Sequence, residues 1–207
     1  MYNLRVNRED IEELHYIVPI ENVLSICRLG ILSKNRAKAS GLKPASVAMQ
    51  EIQDLREKKV VPGGRPLHDY ANLYICARNP MLYKRRGQHL EICVLRVRPE
   101  VLDLPRVVIT DANASAKEVH VRFAPAPAGL EIVDESLTFA KYWTDTNEAV
   151  GWRKKSAKCA EVLVPDRVPP KFLAGAYVSC GESLMRFGLL KAPIAAVINR
   201  DLFFYVE

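Results

Sequence analysis

The sequence predicts an α+β fold in which helices come mainly first and many short strands follow. Apolar residues recur at helical spacing between residues 20 and 58, whereas short apolar runs bounded by Gly, Pro and Asp dominate the chain from residue 70 onward. The chain has 207 residues, 49% of them hydrophobic, which suffices for one sizeable core. No Gly/Pro-rich stretch is long enough to separate two domains. We therefore expect residues 1–207 to form a single domain.

The N-terminal part predicts helical segments separated by a strand and a loop. In chain order the predicted elements are a helical turn over residues 8–14, a strand over 16–18, a helix over 20–29, a loop over 33–45 and a helix over 46–58. Asn7 is a suitable N-cap for the first helical turn. Gly30 is a suitable C-terminal residue for the helix over 20–29. The loop prediction depends on polar composition together with Gly41 and Pro44. Arg56 is expected to lie adjacent to the apolar face of the last helix.

The remainder of the chain predicts short strands joined by turns, because β-branched and aromatic residues cluster in brief runs. Strands are predicted over residues 73–77, 90–97, 107–110, 160–165, 173–179, 195–199 and 202–206. Short helices or turns are predicted over residues 80–83, 137–144 and 181–188. Residues 119–123 suit either a strand or a short helix, and residues 124–136 predict a loop.

Several classes of protein are disfavoured by composition. No run of 18 apolar residues is present, and the polar N-terminus has no signal-peptide core, so we expect a cytoplasmic protein without a membrane span. The five cysteines are scattered, and none forms a Cys-x-x-Cys pair. Neither a disulfide framework nor a zinc site is therefore expected.

Basic residues outnumber acidic ones, giving a formal net charge of +6. They form two clusters: one is Lys84–Arg86, and the other comprises Arg153, Lys154, Lys155 and Lys158, with no acidic residue between Gly151 and Ala160. Such clusters favour a polyanionic partner, although a solvated helix or loop face is the alternative for each cluster.

Individual residues that could carry chemistry each have an ordinary structural alternative. Glu161 begins an apolar strand after a basic, loop-like segment, and it could equally be a sheet-edge residue. His15 and Tyr16 lead into a strand and could present an imidazole to a ligand or simply pack at the strand end. Arg56 on its own resembles a surface residue of a helix.

Other reaction classes lack their motifs. The adjacent His68 and Asp69 would suit a metal phosphohydrolase, but His89 and His120 lack the spacing of further ligands, so no metal is expected. The sequence has no Gly-x-Gly-x-x-Gly, no P-loop and no Gly-x-Ser-x-Gly.

The ordered combination of segments is more specific than any single residue. From about residue 14 to 166, and more loosely to the end, the chain resembles the DarT family, bacterial toxins of DarT–DarG-type systems that ADP-ribosylate DNA. The most specific pieces are His68-Asp69-Tyr70, Asn79-Pro80-Met81-Leu82-Tyr83 and the strand of Glu161. Seven or more pieces occur in the family's order, which argues against chance.

The resemblance implies an ADP-ribosyltransferase-like split β-sandwich with N-terminal helices around an NAD cleft. It implies NAD as co-substrate without a metal, with Glu161 and Arg56 as catalytic residues. His15, Tyr16 and Ile17 match the segment that holds the nicotinamide end, and the remaining NAD contacts implied are Ser25, Ser33 and Arg56.

The resemblance also assigns the basic run 151–160 to a loop that recognises the target. The residues implied to bind nucleic acid are the four cations Arg153, Lys154, Lys155 and Lys158, and the aromatic Tyr142 and Trp143. Single-stranded DNA is the expected substrate, because a base inside a duplex is inaccessible to this attack. Core packing is the alternative for the two aromatic residues.

Two positions depart from the family pattern. Cys159, two residues before Glu161, stands where many ADP-ribosyltransferases carry Gln or Glu to steer the acceptor. Tyr16 stands where many relatives carry His. Because Cys159 replaces the residue that would indicate the acceptor, the modified base stays open between thymine and guanine.

The predicted function is that of a toxin that transfers ADP-ribose to single-stranded DNA and is neutralised by a cognate antitoxin that removes the mark, a macrodomain-like or similar hydrolase. One alternative is an enzyme of the same fold acting on RNA or an RNA phosphate, which would use a His/Arg phosphate site. Another is a catalytically silent nucleic-acid-binding module, against which the presence of both Glu161 and Arg56 argues.

Overall fold

The computed structural model describes residues 5–45, 50–117 and 119–204. Its helices are α1 Val23–Leu29, α2 Lys34–Ala39, α3 Gln50–Glu57, α4 Pro80–Lys84, α5 Glu135–Thr138, α6 Glu148–Ala157 and α7 Gly181–Leu189. Its strands are β1 Leu14–Pro19, β2 Ile31–Leu32, β3 Tyr70–Tyr74, β4 Ile92–Val97, β5 Val108–Thr110, β6 Phe123–Pro125, β7 Glu161–Pro165, β8 Arg167–Val168, β9 Leu173–Val178 and β10 Ala196–Ile198. Turns of 3₁₀ helix cover Arg8–Asp10, Ile20–Asn22, Leu67–Asp69, Arg86–Gln88, Pro99–Asp103, Ala128–Ile132 and Pro170–Phe172.

Eight strands form one mixed sheet in the order β10-β9-β4-β1-β3-β7-β5-β6, and β2 pairs with β8 beside it. All neighbours in the sheet are antiparallel except β9 and β10. The two middle strands β1 and β3 join only at His15 and Tyr74 within the described parts of the chain. The sheet is therefore split into two four-stranded halves that diverge from one residue pair.

The two faces of the sheet pack against different clusters of apolar residues. In β7, Val162 and Val164 belong to the large core, whereas Leu163 belongs to a smaller cluster. Because side chains alternate along a strand, Glu161 shares the face of Leu163 and points away from the large core. This alternation places the only charged residue of β7 on the side of the sheet opposite its main core.

The predicted helix over residues 20–29 is confirmed as a 3₁₀ turn followed by α1. Gly30 ends it with a φ of +88°, a conformation that favours glycine. A Cβ at this position would overlap the carbonyl oxygen of Val168, so the close approach of β2 to β8 also requires glycine.

Two predicted loops are wrong because polar residues cap helices there. Residues 34–39 form α2, since the hydroxyl of Ser33 accepts a hydrogen bond from the Arg36 N–H at 3.2 Å. Much of the basic run 151–160 lies in α6, which begins after Asn147, whose side chain accepts from the Val150 N–H at 3.2 Å. Ser and Asn before a polar segment are N-cap signals, and composition alone obscured them.

Smaller differences concern element ends. Residues 119–123 form neither a full strand nor a helix, and the strand β6 begins only at Phe123. The predicted strand over 202–206 is wrong as far as residue 204, where the chain forms turns; residues 205–206 lie outside the described residues. The helix predicted over 46–58 is confirmed from Gln50 to Glu57, and residues 46–49 also lie outside them.

The observed architecture is α+β, as predicted. In the described parts of the chain, no helix combines the length and the apolar character needed to cross a membrane.

Candidate active site

Glu161 lies in the interior of the sheet. It is the first residue of β7, pairs with Tyr74 on one side and Thr110 on the other, and is 1% exposed. The interpretation of Glu161 as an ordinary sheet-edge residue is therefore wrong. A buried carboxylate needs a compensating partner, because an isolated charge is costly to remove from water.

Strand register brings two of the predicted site residues, His15 and Glu161, into one row across the sheet. His15 of β1 lies opposite Tyr74 of β3, which lies opposite Glu161 of β7. Arg96 of β4 and Thr110 of β5 extend the row at its two ends. Directly opposed residues share a face of a sheet, so this row crosses the junction where the two halves separate.

Arg56 is the partner of the buried carboxylate. Its Nη1 donates to both oxygens of Glu161, at 3.2 Å to Oε1 and 3.0 Å to Oε2. Arg56 is 6% exposed, so it is not the surface residue that its helix position alone suggests. The contact joins α3 to β7 across 105 residues of chain and brings together the two residues that the family resemblance identifies as catalytic.

Burial dominates the electrostatics of this row. It raises the pKa of Glu161 above its ordinary value, although the Arg56 guanidinium and the Ala114 N–H oppose the shift. Burial also raises the pKa of Tyr74, and the charge of Glu161 raises it further. The pKa of Tyr16 is likewise raised by burial, against the influence of Arg56. Both phenols are therefore neutral at physiological pH.

Three neighbours that the sequence did not single out complete the surroundings of Glu161. The Glu161 N–H donates to Thr110 Oγ1 at 3.2 Å, which fixes the start of β7. The Nζ of Lys59 donates to the Ala116 carbonyl at 2.8 Å, and burial lowers the pKa of Lys59 while the charge of Glu161 opposes this. Lys59 lies just beyond the end of α3, where its N–H donates to the Arg56 carbonyl at 3.3 Å, and no signal in the sequence marks it. Tyr74 carried no signal either, because its place follows from strand pairing.

His15 is held by a hydrogen-bond network. Its Nε2 lies 3.1 Å from the Glu13 carboxylate, which also accepts from the Nε of Arg96. Burial alone would raise the pKa of Glu13, but hydrogen bonds from His15 and Arg96 lower it to about 2. Ile17, two residues along β1, is buried in the apolar cluster that also contains Tyr74.

Four buried side-chain polar atoms lack a hydrogen-bond partner in the parts of the chain that the structure describes: His15 Nδ1, Arg56 Nη2, His68 Nε2 and Ser156 Oγ. Buried polar groups are normally satisfied, so each such atom calls for a ligand or a water molecule. A guanidinium N–H suits a phosphate oxygen, and ring nitrogens suit hydroxyl or amide groups. This donor and acceptor set fits a dinucleotide.

The two serines predicted to contact NAD occupy different settings. Ser33 is buried, and its hydroxyl caps α2. Ser25 is exposed on α1. Neither belongs to the register row of Glu161, and their contacts with NAD stay predictions.

The basic residues of α6 differ in how accessible they are. Arg153 and Lys155 are exposed, whereas Lys154 donates to Asp145 at 2.7 Å. Lys158 is 1% exposed, and its Nζ lies 3.2 Å from Cys76 Sγ. The prediction that Lys158 contacts nucleic acid is therefore wrong, because its ammonium group points into the protein.

The two aromatic residues predicted to stack on bases also differ. Tyr142 is 71% exposed. Trp143 is half-buried and packs edge-on against Tyr83 and Phe204, with ring centroids 5.8 Å and 5.7 Å away. Tyr142 is therefore the freer of the two for a base.

Cys159 is buried beside the site. Burial, followed by the charge of Glu161, raises the pKa of its thiol to about 12. It belongs to the apolar cluster that contains Tyr74 and Ile17, and it is a neutral packing residue. No group of three or more His, Cys, Asp or Glu side chains suited to hold a metal ion occurs among the described residues.

Solved structures identify the class of fold. The Thermus sp. 2.9 DarT in complex with ADP-ribosylated ssDNA matches with a TM-score of 0.78 at 24% identity, covering 97% of this chain and 100% of that one. The same DarT in complex with NAD+ matches with a TM-score of 0.72 at 24% identity, covering 94% of this chain and 98% of that one. The fold is ADP-ribosyltransferase-like, which confirms the predicted fold class.

Sequence comparison then gives the family. The profile described as ssDNA thymidine ADP-ribosyltransferase, DarT, matches residues 15–190. A DNA ADP-ribosyl transferase–DNA ADP-ribosyl glycohydrolase fusion protein of Thermosipho africanus is 31% identical over 173 residues, which are 82% of this chain and 43% of the fusion. A DNA ADP-ribosyl transferase of Thermus sp. (strain 2.9) is 31% identical over 171 residues, 75% of this chain and 76% of that protein. The chain belongs to the DarT family, and it spans less than half the length of the fusion protein.

Proposed function

We propose that this chain is an NAD-dependent mono-ADP-ribosyltransferase that modifies thymidine in single-stranded DNA, and that residues 1–207 form one catalytic domain. The observation that carries this proposal is the buried Arg56–Glu161 pair at the junction of the split sheet. The choice of thymidine, which the residues alone left open, rests on the description of the matching family.

NAD supplies an activated glycosidic bond, from nicotinamide ribose C1 to the pyridinium nitrogen. Cleavage of such a bond passes through an oxocarbenium-like transition state, which a nearby carboxylate stabilises. Glu161 would suit this role, since Arg56 fixes both carboxylate oxygens on the face of the sheet opposite its large core. The raised pKa of Glu161 also suits a general base that removes a proton from the acceptor.

Arg56 serves both the carboxylate and the co-substrate. Its Nη1 is engaged by Glu161, whereas its Nη2 is buried without a partner among the residues described. A guanidinium pairs well with phosphate oxygens, so Nη2 would bind the pyrophosphate. One side chain would thereby hold the co-substrate and the catalytic carboxylate in a fixed relation.

The proposed acceptor approaches beside α6. This helix ends at Ala157, and four residues later the chain reaches Glu161, so its exposed cations would flank the site. Arg153 and Lys155 would bind the sugar–phosphate backbone, and Tyr142 would stack on a base. A single strand is favoured because its bases are already accessible.

In the cell, we propose that this activity acts as a toxin in the cytoplasm, where NAD and DNA occur together. The Thermosipho africanus relative joins a DNA ADP-ribosyl transferase to a DNA ADP-ribosyl glycohydrolase in one protein. A glycohydrolase that removes ADP-ribose from DNA is accordingly the antitoxin partner that we propose.

The proposal is tested by incubating the protein with labelled NAD and oligonucleotides that differ only in composition. We expect label on single strands that contain thymidine, none on strands in which every thymidine is replaced, and little on the same sequence as a duplex. Mass spectrometry of the labelled strand should place the added ADP-ribose on thymidine. Label on RNA or protein alone would overturn the choice of substrate, and untouched NAD would overturn the proposed reaction.

The combined change Arg153→Ala and Lys155→Ala should weaken DNA binding and leave NAD binding unchanged. Each lost phosphate contact on a single strand lowers the salt dependence of affinity by about 0.7 in log–log slope. We therefore expect the KM for DNA to rise severalfold, with a slope reduced by about 1.4. Steady-state kinetics at several salt concentrations measure the KM for DNA and the slope of its salt dependence. Lys171→Ala, on an exposed lysine of another surface, is the control; an equal effect there would contradict a specific role for α6.

A further inference from the structure

The basic cluster Lys84–Arg86, at the end of α4, lies outside the row of Glu161. Its Arg86 is exposed, yet two contacts with Tyr83 hold it in place. The Nη1 of Arg86 donates to the Tyr83 carbonyl at 3.0 Å, and the central carbon of its guanidinium lies 4.1 Å from the centroid of the Tyr83 ring. None of the ion pairs among the described residues includes Arg86. Arg86 is therefore a cation in a fixed position whose charge no ion pair within those residues neutralises.

The ring of Tyr83 belongs to an aromatic cluster that joins α4 to the segment before α6. It meets Trp143 edge-on with ring centroids 5.8 Å apart, and it meets Phe204 in the same way at 5.0 Å. Tyr83 is nevertheless 41% exposed, and Tyr142, the residue before Trp143, is 71% exposed. Because Trp143 contacts Tyr83 directly, the exposed Tyr142 comes from a part of the chain that lies against α4.

The segment that carries Tyr142 is fixed by Arg78. The Nη1 of Arg78 donates to the Lys141 carbonyl at 2.9 Å, and its Nε donates to the Asp201 carbonyl at 3.1 Å. These bonds hold the segment against the C-terminal turns of the described chain. The surface is therefore largely formed before a ligand binds, which lowers the entropic cost of binding.

Each of the two exposed rings has an exposed cation beside it. The Nζ of Lys141 lies 5.8 Å from the centroid of Tyr142, as Arg86 lies beside Tyr83. Aromatic rings stack on unpaired bases of any identity, and cations bind the phosphates of the backbone. Alternation of rings and cations is therefore typical of a surface that binds a single strand, whereas a duplex offers no free base faces.

The helix α4 lies on the same face of the sheet as Glu161. Its Leu82 is fully buried in the apolar cluster that contains Tyr74 and Cys159. Tyr74 pairs directly with Glu161, and directly opposed residues share a face of a sheet. The exposed residues of α4 and of the turn after it therefore lie on the side of the molecule from which a strand reaches Glu161.

We propose that Lys141, Tyr142, Tyr83 and Arg86 bind the nucleotides that flank the acceptor thymidine on one side, an inference that rests on the proposed function. The two rings would stack on bases, and the two cations would bind the phosphates between them. This surface adds affinity for strands long enough to reach it and takes no part in the chemical step.

The test uses oligonucleotides that contain one thymidine and are lengthened stepwise with deoxyadenosine, on the 5′ side in one series and on the 3′ side in the other. We expect the KM of the parent protein to fall about five- to tenfold with length in one series, as a stacked base and a bound phosphate are added. Arg86→Ala should lose most of this gain, and the log–log salt slope for long strands should fall by about 0.7. Arg86→Lys retains the charge and should retain the slope. NAD affinity by calorimetry should equal that of the parent.

Arg186→Ala is the matched control. It removes an exposed arginine whose Nη2 donates to Glu182 at 2.8 Å, on α7, which packs through Phe187 into the large core on the opposite face of the sheet. The gain with length should persist in this variant. A parent KM independent of length in both series, a full gain in Arg86→Ala, or an equal loss in Arg186→Ala would overturn the role of this surface while the parent still labelled DNA. Absence of label on every strand would instead overturn the proposed function.

Discussion

Glu161→Gln is expected to lower the rate of ADP-ribose transfer by about a thousandfold or more while the fold is retained. The amide oxygen can still accept from Arg56 Nη1, but the amide provides neither negative charge for the transition state nor a base for the acceptor proton. General base catalysis alone contributes about 10²–10⁴-fold, and loss of a well-placed electrostatic group contributes a similar factor. Single-turnover labelling of an oligonucleotide measures the rate.

The effect should be confined to the chemical step. NAD affinity by calorimetry should change little, and circular dichroism should match the parent protein. Glu148→Gln, on an exposed glutamate of α6, is the control for a loss of negative charge near the same surface. Transfer by Glu161→Gln within tenfold of the parent rate would exclude Glu161 as the catalytic glutamate.

Local signals in the sequence predicted elements in which an apolar run is bounded by Gly or Pro. The helix that Gly30 ends and the strand that begins at Glu161 were both predictable, because glycine in a left-handed conformation and an apolar run bounded by Pro165 act over a few residues. The missed α2 and α6 have caps too, at Ser33 and Asn147. Their polar and basic compositions outweighed those caps in the interpretation.

The site itself depends on contacts that no local pattern encodes. Arg56 and Glu161 are 105 positions apart, and Arg56 appeared on its own to be a surface residue. The family resemblance, rather than helical periodicity, assigned both of them to catalysis. The place of Tyr74 follows from pairing between β3 and β7, which a sequence does not specify without the register.

At Lys158 the sequence predicted a functional contact that the structure does not support. It belongs to a run of cations, yet it follows the end of α6 and enters the protein beside Cys76. A charge cluster in sequence becomes a charged surface only where the helix exposes each residue. The cations that α6 does expose, Arg153 and Lys155, are those for which the nucleic-acid prediction stands.

Arg56→Ala is expected to cost both activity and stability, because it leaves a buried carboxylate without its cation. Removing one partner of a buried ion pair typically destabilises a protein by about 3 to 5 kcal/mol. Loss of the guanidinium removes an influence that lowers the pKa of Glu161, so that pKa rises further. Transfer should fall steeply, since the pyrophosphate contact and the carboxylate geometry are lost together.

The pH dependence follows from the direction of the Glu161 shift. The pKa in the folded state lies above the ordinary value of 4.5, so the protonated carboxyl is favoured by folding. Its contribution to stability is fully present below pH 4.5 and is lost as the pH rises through the folded-state pKa. In Arg56→Ala this loss should be larger and extend to higher pH, and the acid limb of kcat/KM should move in the same direction.

Urea unfolding of Arg56→Ala between pH 4.5 and 8 measures this loss, and the double variant Arg56→Ala with Glu161→Gln separates its causes. The double variant lacks the buried carboxylate of Glu161, so we expect it to be more stable than Arg56→Ala at pH 8 and to lack the Glu161-dependent decline. Near pH 4.5 the two should converge, because Glu161 is then largely protonated in the single variant. Equal stability of the two variants at every pH would mean that packing around α3, rather than the uncompensated charge of Glu161, accounts for the cost of losing Arg56.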